Sequence, residues 1–271
     1  MKHTAAILLG AAAAIGGTVC LIAPGKATEA QKAPFAGRYF AHRGLHADDG
    51  LAPENSLPAF RRAAEAGYGI ELDVHITKDD QIVVFHDDDL NRMCGLDAKT
   101  EDLTYAELQE LRLGGTEERI PLFSEVLSVY AGAGPMVLEF KTGPRKYELC
   151  EKTLTLLRDY PGDVCIESFD PRIVRWFYKH APQYVRGQLA QPAKDYPAAQ
   201  GKILPQILAN GLTNVMCRPQ FIAYKLGEKP FLVKCAEAMG AMDFSWTSRA
   251  LTDKDHQDGI IFEQYRPDLY L

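Results

Sequence analysis

The chain has 271 residues and a formal net charge of −6, with 30 Lys and Arg against 36 Asp and Glu. No basic tract stands out, which excludes a nucleic-acid-binding surface built on clustered cations. The six cysteines, Cys20, Cys94, Cys150, Cys165, Cys217 and Cys235, include no CxxC pair and suit neither a disulfide framework nor a structural zinc site.

Residues 4–24 carry no charged side chain, and Lys2 and Lys26 flank them. A helix of about 20 apolar residues can cross a bilayer. The run is long for the core of a signal peptide. It therefore reads as a hydrophobic N-terminal helix that anchors the protein in a membrane, with the following domain on the extracytoplasmic side. Small residues around Ala27–Ala30 leave cleavage and secretion as the alternative. The organisation expected is 1–35 as anchor or signal segment and linker, and 36–271 as one globular domain.

Apolar, β-branched runs then recur and predict strands over 38–42, 70–76, 81–86, 135–141, 163–168, 184–189, 213–217, 241–246 and 259–263. Helical patterns lie between many of them. Asn55 is placed to cap a helix containing Leu57, Phe60, Ala63 and Ala64 that ends at Gly67. Thr104 with Glu107 forms a capping box, and Asp170-Pro171 is a cap followed by a first-turn proline. This alternation is that of βα units around a parallel sheet. The fold class expected is α/β, a (β/α)8 TIM barrel preceded by the hydrophobic helix. Nine runs exceed the eight strands of such a barrel, so one late run is expected to be a loop or an extra strand, and 213–217 is the weakest. Residues 87–120 form a long excursion after the third run, where a barrel would place a substrate-covering element.

The ionisable residues gather at the ends of these runs. Glu71, Asp73 and His75 alternate with Ile70, Leu72, Val74 and Ile76, so they share one face of a strand. Buried carboxylates need a cation or hydrogen bonds to compensate them, and hard oxygen ligands favour magnesium, calcium or manganese. A polar strand end meeting solvent is the plainer alternative. Glu139 and Lys141 repeat the pattern, with Glu139 a third carboxylate ligand and Lys141 either a phosphate contact or a surface residue. His42 and His86 each follow an apolar run, so one can take a proton while the other gives one. Arg43 can clamp a phosphate. Glu54 can reach the cation or orient a histidine, and Asn55 also suits a helix cap. His46 and His75 are secondary candidates, read either as surface residues or as residues that support the site from behind.

The ordered set His42-Arg43-Gly44, Pro53-Glu54-Asn55-Ser56, Glu71-Leu72-Asp73-Val74, Phe85-His86-Asp87 and Leu138-Glu139-Phe140-Lys141 resembles the glycerophosphodiester phosphodiesterase family. Ser168-Phe169 and Trp246-Thr247 extend the resemblance, which runs from about Phe40 to Pro267. It implies a (β/α)8 barrel that hydrolyses glycerophosphodiesters to glycerol 3-phosphate and an alcohol. It also implies one divalent cation, Mg2+ or Ca2+ with Mn2+ as a further option, on Glu71, Asp73 and Glu139. His42 and His86 are then the acid–base pair, and Arg43, Lys141 and Trp246 contact the substrate. The implied mechanism uses the glycerol hydroxyl of the substrate as nucleophile and passes through a cyclic phosphate. The last strand departs from the family pattern, with Glu263 where Thr-Asp is usual, and Thr247-Ser248-Arg249 departs after Trp246.

Two other readings compete. One is a lysophospholipase D-like hydrolase working near the membrane that the N-terminal segment would enter. The other is an inactive, membrane-anchored binding protein. The sequence assigns no oligomeric state.

Overall fold

The computed structural model describes residues 16–47, 50–252 and 257–271. Nine strands form one sheet: β1 (Arg38–Ala41), β2 (Gly69–Ile76), β3 (Ile82–Val84), β4 (Met136–Phe140), β5 (Val164–Ser168), β6 (Val185–Ala190), β7 (Phe221–Lys225), β8 (Met242–Ser248) and β9 (Gly259–Phe262). Their order is β1-β9-β8-β7-β6-β5-β4-β2-β3, and β1 also pairs with β2. That last pairing closes a barrel of parallel strands, from which only β3 is excluded. β3 runs antiparallel to the upper half of β2, with Val84 opposite Val74 and Ile82 opposite Ile76.

Period-two alternation sorts the strands into two faces. Ile70, Leu72, Val74, Leu138, Phe140 and Ile166 point outward. They pack on Phe60 and Ala63 of α1 (Leu57–Ala66), on Phe123 and Val126 of α2 (Phe123–Tyr130), on Leu149 of α3 (Lys146–Leu157) and on Phe177 of α4 (Pro171–His180). Phe40, Val137, Cys165, Leu189, Phe221, Phe244 and Ile261 point into the barrel. Glycines on inward positions make room for the rings. A Cβ at Gly187 would lie 2.1 Å from the Phe221 ring, and one at Gly69 would lie 2.6 Å from the Phe40 ring. The lower barrel is thus packed with aromatic side chains, and its inward polar residues are confined to the upper, C-terminal ends of the strands.

Strands form in eight of the nine expected runs. The exception is 213–217, where Asn214–Cys217 is a short helix. A run of Val-Met-Cys is too short for periodicity to tell strand from helix. The barrel strand of that region is β7, a few residues later. The run over 81–86 becomes the hairpin strand β3 and not a barrel stave. The helix start expected at Asn55 falls at Ser56, whose hydroxyl accepts from the Ala59 amide at 3.3 Å. The Thr104–Glu107 capping box and the Asp170 cap form as expected. Residues 87–120 enclose a small core of their own, with Leu90, Leu108, Leu113 and Ile120 packed on Val83 and Phe85.

The expected membrane-spanning N-terminal helix is corrected. Among the described residues no helix is long and apolar enough to cross a membrane. Of the apolar run, residues 4–15 lie outside the described residues; residues 16–22 are helical, and Ala23 and Pro24 have no regular structure. Ile22 is buried against the body. Asn214 Nδ2 donates to Ile22 O at 3.0 Å, and Arg218 donates to Cys20 O at 3.1 Å and to Ala23 O at 2.8 Å. The end of the run is therefore docked on the domain through its carbonyls. Anchoring in a membrane by such a helix, and the extracytoplasmic location expected from it, are therefore not supported among the described residues.

Two stability predictions follow from this packing. Gly187→Ala pushes a methyl group into the buried Phe221 ring, and overpacking of this kind costs about 1–3 kcal/mol; urea unfolding at neutral pH measures it. Asp170 caps α4, and burial alone would raise its carboxyl. Bonds from the Arg172 side chain and amide and from Thr142 instead hold it at about 2, against an ordinary 3.8. A depressed folded value stabilises the fold above pH 3.8, and the contribution is lost as pH falls towards 2. The difference in urea midpoint between wild type and Asp170→Asn is therefore expected to be full at pH 7 and to shrink between pH 4 and pH 3.

Candidate active site

Four carboxylates meet at the top of adjacent strands. Register places Asp73 of β2 beside Glu139 of β4, and Glu139 beside Glu167 of β5. Glu71 lies on the same face one step lower. Their relative exposures are 0% for Asp73, 1% for Glu167, 3% for Glu71 and 7% for Glu139, so water does little to stabilise their charge. Burial, and then repulsion from neighbouring carboxylates, pushes Glu71 and Glu167 well above the usual carboxylate range. Burial also raises Glu139, against the opposing charge of Lys141. Asp73 goes the other way: burial is overcome by Lys141, His86 and Arg43, and it stays ionised.

The compensating groups come from Lys141 and the first loop. Lys141 Nζ sits 2.8 Å from both Asp73 Oδ1 and Glu139 Oε1. Despite burial, the two acids raise its pKa. The amide of Arg43 donates to Glu71 Oε2 at 3.0 Å, and Arg43 Nε lies 3.9 Å from Asp73 Oδ2. Asn55 Nδ2 donates to Asp73 Oδ2 at 2.9 Å. Arg43 and Asn55 both hold left-handed φ angles, 53° and 55°, and the Asn55 amide bonds the Arg43 carbonyl at 2.9 Å. Such conformations cost energy in non-glycine residues and persist where the surroundings impose them. Here they turn an amide and a carboxamide into the acidic cluster.

The two histidines are held alike. His42 Nδ1 lies 2.6 Å from Glu263 Oε2, just past the end of β9. His86 Nδ1 lies 2.6 Å from Asp87 Oδ1. A carboxylate at Nδ1 fixes the ring and leaves Nε2 as the reactive nitrogen. His86 reaches the cluster because the β2–β3 hairpin doubles back, with the Phe85 amide bonding Asp73 O at 3.1 Å. Burial, aided by the Arg43 charge and opposed by Glu263, lowers His42 to about 4, so it is a neutral base at pH 7. Burial works against Glu263 as an anion, but His42, His46 and then Arg249 hold it far below the usual range. His75 is buried above Asp73, and burial lowers it to about 4 as well.

A bridge of charges joins the loops that carry the histidines. Arg43 donates to Glu54 Oε1 at 2.8 Å, and Arg92 reaches Glu54 through both terminal nitrogens, at 3.0 and 2.5 Å. Arg92 Nε donates to Asp87 Oδ2 at 2.7 Å, behind His86. The chain Arg43–Glu54–Arg92–Asp87 thus runs from the neighbour of one histidine to the carboxylate that orients the other.

His42, Arg43, Glu71, His86, Glu139, Glu167, Phe169 and Trp246 line one cleft of about 400 Å³. Trp246 donates from Nε1 to Ala223 O at 3.0 Å, and its ring meets Phe169 edge-on, with centroids 5.6 Å apart. Asp73, Asn55 and Lys141 are buried at the cluster. Glu54 and Glu263 border an adjoining cleft of about 550 Å³ that Arg92 and Met93 of the excursion also line. Glu167 and Arg92 were not anticipated from the sequence. Glu167 carried a signal, since it follows Cys165 by two and so faces inward at a strand end. Arg92 carried none, because its partners are distant in sequence.

The donor set suits a hard divalent cation. Ligand oxygens of Glu71, Asp73 and Glu139 lie within 4.8 Å of one another. Four carboxylates face two cationic side chains, and Glu167 Oε2 has no hydrogen-bond partner among the described residues. Buried negative charge in excess of its partners is what such an ion relieves.

Residues 42–260 match the model of the glycerophosphoryl diester phosphodiesterase family. A glycerophosphodiester phosphodiesterase of Caldanaerobacter subterraneus is 32% identical over 237 residues, 82% of this chain and 91% of the relative. The crystal structure of a glycerophosphodiester phosphodiesterase from Thermotoga maritima shares 28% identity at a TM-score of 0.63, covering 83% of this chain and 93% of that one. A phosphodiesterase of Oleispira antarctica, solved with the product sn-glycerol-3-phosphate, shares the fold at a TM-score of 0.69 and 22% identity, covering 85% and 94%. With the ordered motifs gathered on one cleft, the chain belongs to the glycerophosphoryl diester phosphodiesterase family and is a phosphoric diester hydrolase.

Proposed function

We propose that this hydrolase cleaves glycerophosphodiesters to glycerol 3-phosphate and an alcohol, with His42 and His86 moving the protons. The observation that carries this reading is the pair of imidazoles on one cleft, each held through Nδ1 by a carboxylate at 2.6 Å. Neutral His42 takes the proton of the glycerol hydroxyl at Nε2. The hydroxyl oxygen attacks phosphorus, and His86 gives a proton to the departing alcohol. Water then opens the cyclic phosphate with the two roles exchanged.

Glu71, Asp73 and Glu139 would hold one divalent cation, Mg2+ or Ca2+, with Mn2+ a further option and Glu167 close beside them. Held there, such an ion would supply Lewis-acid stabilisation of charge on the phosphoryl group. Arg43 faces the cleft and contacts the phosphate as a planar cation. Lys141 acts through the cluster by keeping Asp73 ionised. Trp246 and Phe169 form an apolar wall for the carbon skeleton. Arg92 is a positioning residue that aligns Asp87, and through it His86, with the first loop.

The direct test is glycerol 3-phosphate release from glycerophosphocholine and glycerophosphoethanolamine in Mg2+, Ca2+, Mn2+ or chelator. Release is expected with a divalent ion and none with chelator. His42→Ala and His86→Ala are each expected to lower kcat by about 10²–10⁴-fold. Turnover confined to lysophospholipid would replace the small-headgroup reading, and full activity in either histidine variant would end the acid–base assignment.

Arg92→Met is expected to lower kcat by roughly tenfold to a hundredfold, the scale of a misplaced catalytic group. KM should change little, and Arg92→Lys should recover part of the loss. A change in KM alone would place Arg92 in substrate binding instead.

A further inference from the structure

A second set of metal-type donors lies beside the carboxylate cluster. Glu263 Oε2 faces His42 Nδ1 at 2.6 Å and His46 Nε2 at 3.7 Å. One ligand atom from each of the three residues falls within 4.8 Å of the others. At 3.7 Å His46 is beyond hydrogen-bond reach of Glu263, and its Nε2 is buried with no hydrogen-bond partner among the described residues. A nitrogen donor therefore faces the carboxylate through a loose 3.7 Å ion-pair contact, with no close hydrogen bond.

The chemistry of this set differs from that of the cluster. Two imidazole nitrogens and one carboxylate oxygen make a borderline-soft set, which suits Zn2+ in four-coordinate geometry with water as the fourth ligand. Three carboxylates suit a hard ion. Arg249 is the cation next to Glu263, and its Nε bonds Oε1 at 2.7 Å, which leaves Oε2 to the two histidines. His42, His46, Glu263 and Arg249 all border the 550 Å³ cleft, which gives an ion a way in. His46 is not among the residues lining the cleft that holds His86 and Glu139.

We propose that His42, His46 and Glu263 form a second cation site, selective for Zn2+ and ions of similar softness, and that filling it switches the enzyme off. The switching rests on His42 being the base; the binding does not. Zn2+ takes the lone pair of His42 Nδ1, so the single proton of the ring resides on Nε2. Nε2 then has no lone pair to accept the substrate proton. Glu263 at the same time exchanges its bond to the ring for a bond to the metal. Three residues outside the hard-ion site would thus let a trace metal control turnover.

The test uses the full chain saturated with Mg2+, with Co2+ as the spectroscopic probe and Zn2+ as the inhibitor. Wild type is expected to develop the strong visible absorption of four-coordinate Co2+, and His46→Gln to lack it. The Zn2+ concentration for half-inhibition should rise at least about tenfold in His46→Gln, as for loss of one ligand of three, with turnover in the absence of Zn2+ unchanged. His46→Asn serves as a second variant should the first fold poorly. Thiol-bound metal would persist in both variants and so is told apart. Equal cobalt spectra in wild type and variants, or equal zinc inhibition, would overturn the site. Were the chain inactive on every phosphodiester, the cobalt spectrum would still decide the binding.

Discussion

Four carboxylates crowded at the dry rim of a barrel are the constraint to which the rest of this site answers. Parallel register sets Asp73, Glu139 and Glu167 side by side, and alternation turns all three inward with Glu71. Ionised acids in such a place repel one another and lack water, so each nearby feature serves to offset them. Lys141 bridges two of them, the strained turns at Arg43 and Asn55 bring donors to two, and the unpaired oxygen of Glu167 marks where compensation by side chains stops. The aromatic packing below matters for the same reason. Phe40, Phe221 and Phe244 keep water from reaching the carboxylates through the barrel floor.

The histidines show how one motif is served by unrelated parts of the chain. His42 takes its carboxylate from the end of β9, more than two hundred residues away, whereas His86 takes its own from the next residue. Glu263, just past the end of β9, supplies the acid that orients His42. The excursion over 87–120 contributes Arg92 from a small core of its own, so it stiffens the mouth of the site as well as bordering it.

Much of this was written in local patterns. The alternation of Glu71, Asp73, Glu139 and Lys141 with apolar neighbours was enough to place them on one face, because strand geometry repeats every two residues whatever the fold. The caps at Thr104 and Asp170 were legible because they depend on residues within three positions. The membrane helix failed because an apolar run reports hydrophobicity and not what it touches. Its end is tied down by Asn214 and Arg218 from the far side of the chain. The strand expected at 213–217 failed for want of length, since three apolar residues fit either period.

The sequence by itself therefore determined the alternation of strands and helices and the single face shared by Glu71, Asp73, Glu139 and Lys141, which rest on short-range periodicity and residue type. Only the tertiary structure decided that Asn55 serves Asp73 and not a helix end, that Glu263 holds His42, that Glu167 joins the cluster and that Arg92 ties the two loops together. Those pairings come from barrel closure and the β2–β3 hairpin. Closure brings β1 against β9, and the hairpin returns His86 to the level of Asp73. Contacts made by such long-range pairing leave no trace in the spacing of neighbouring residues.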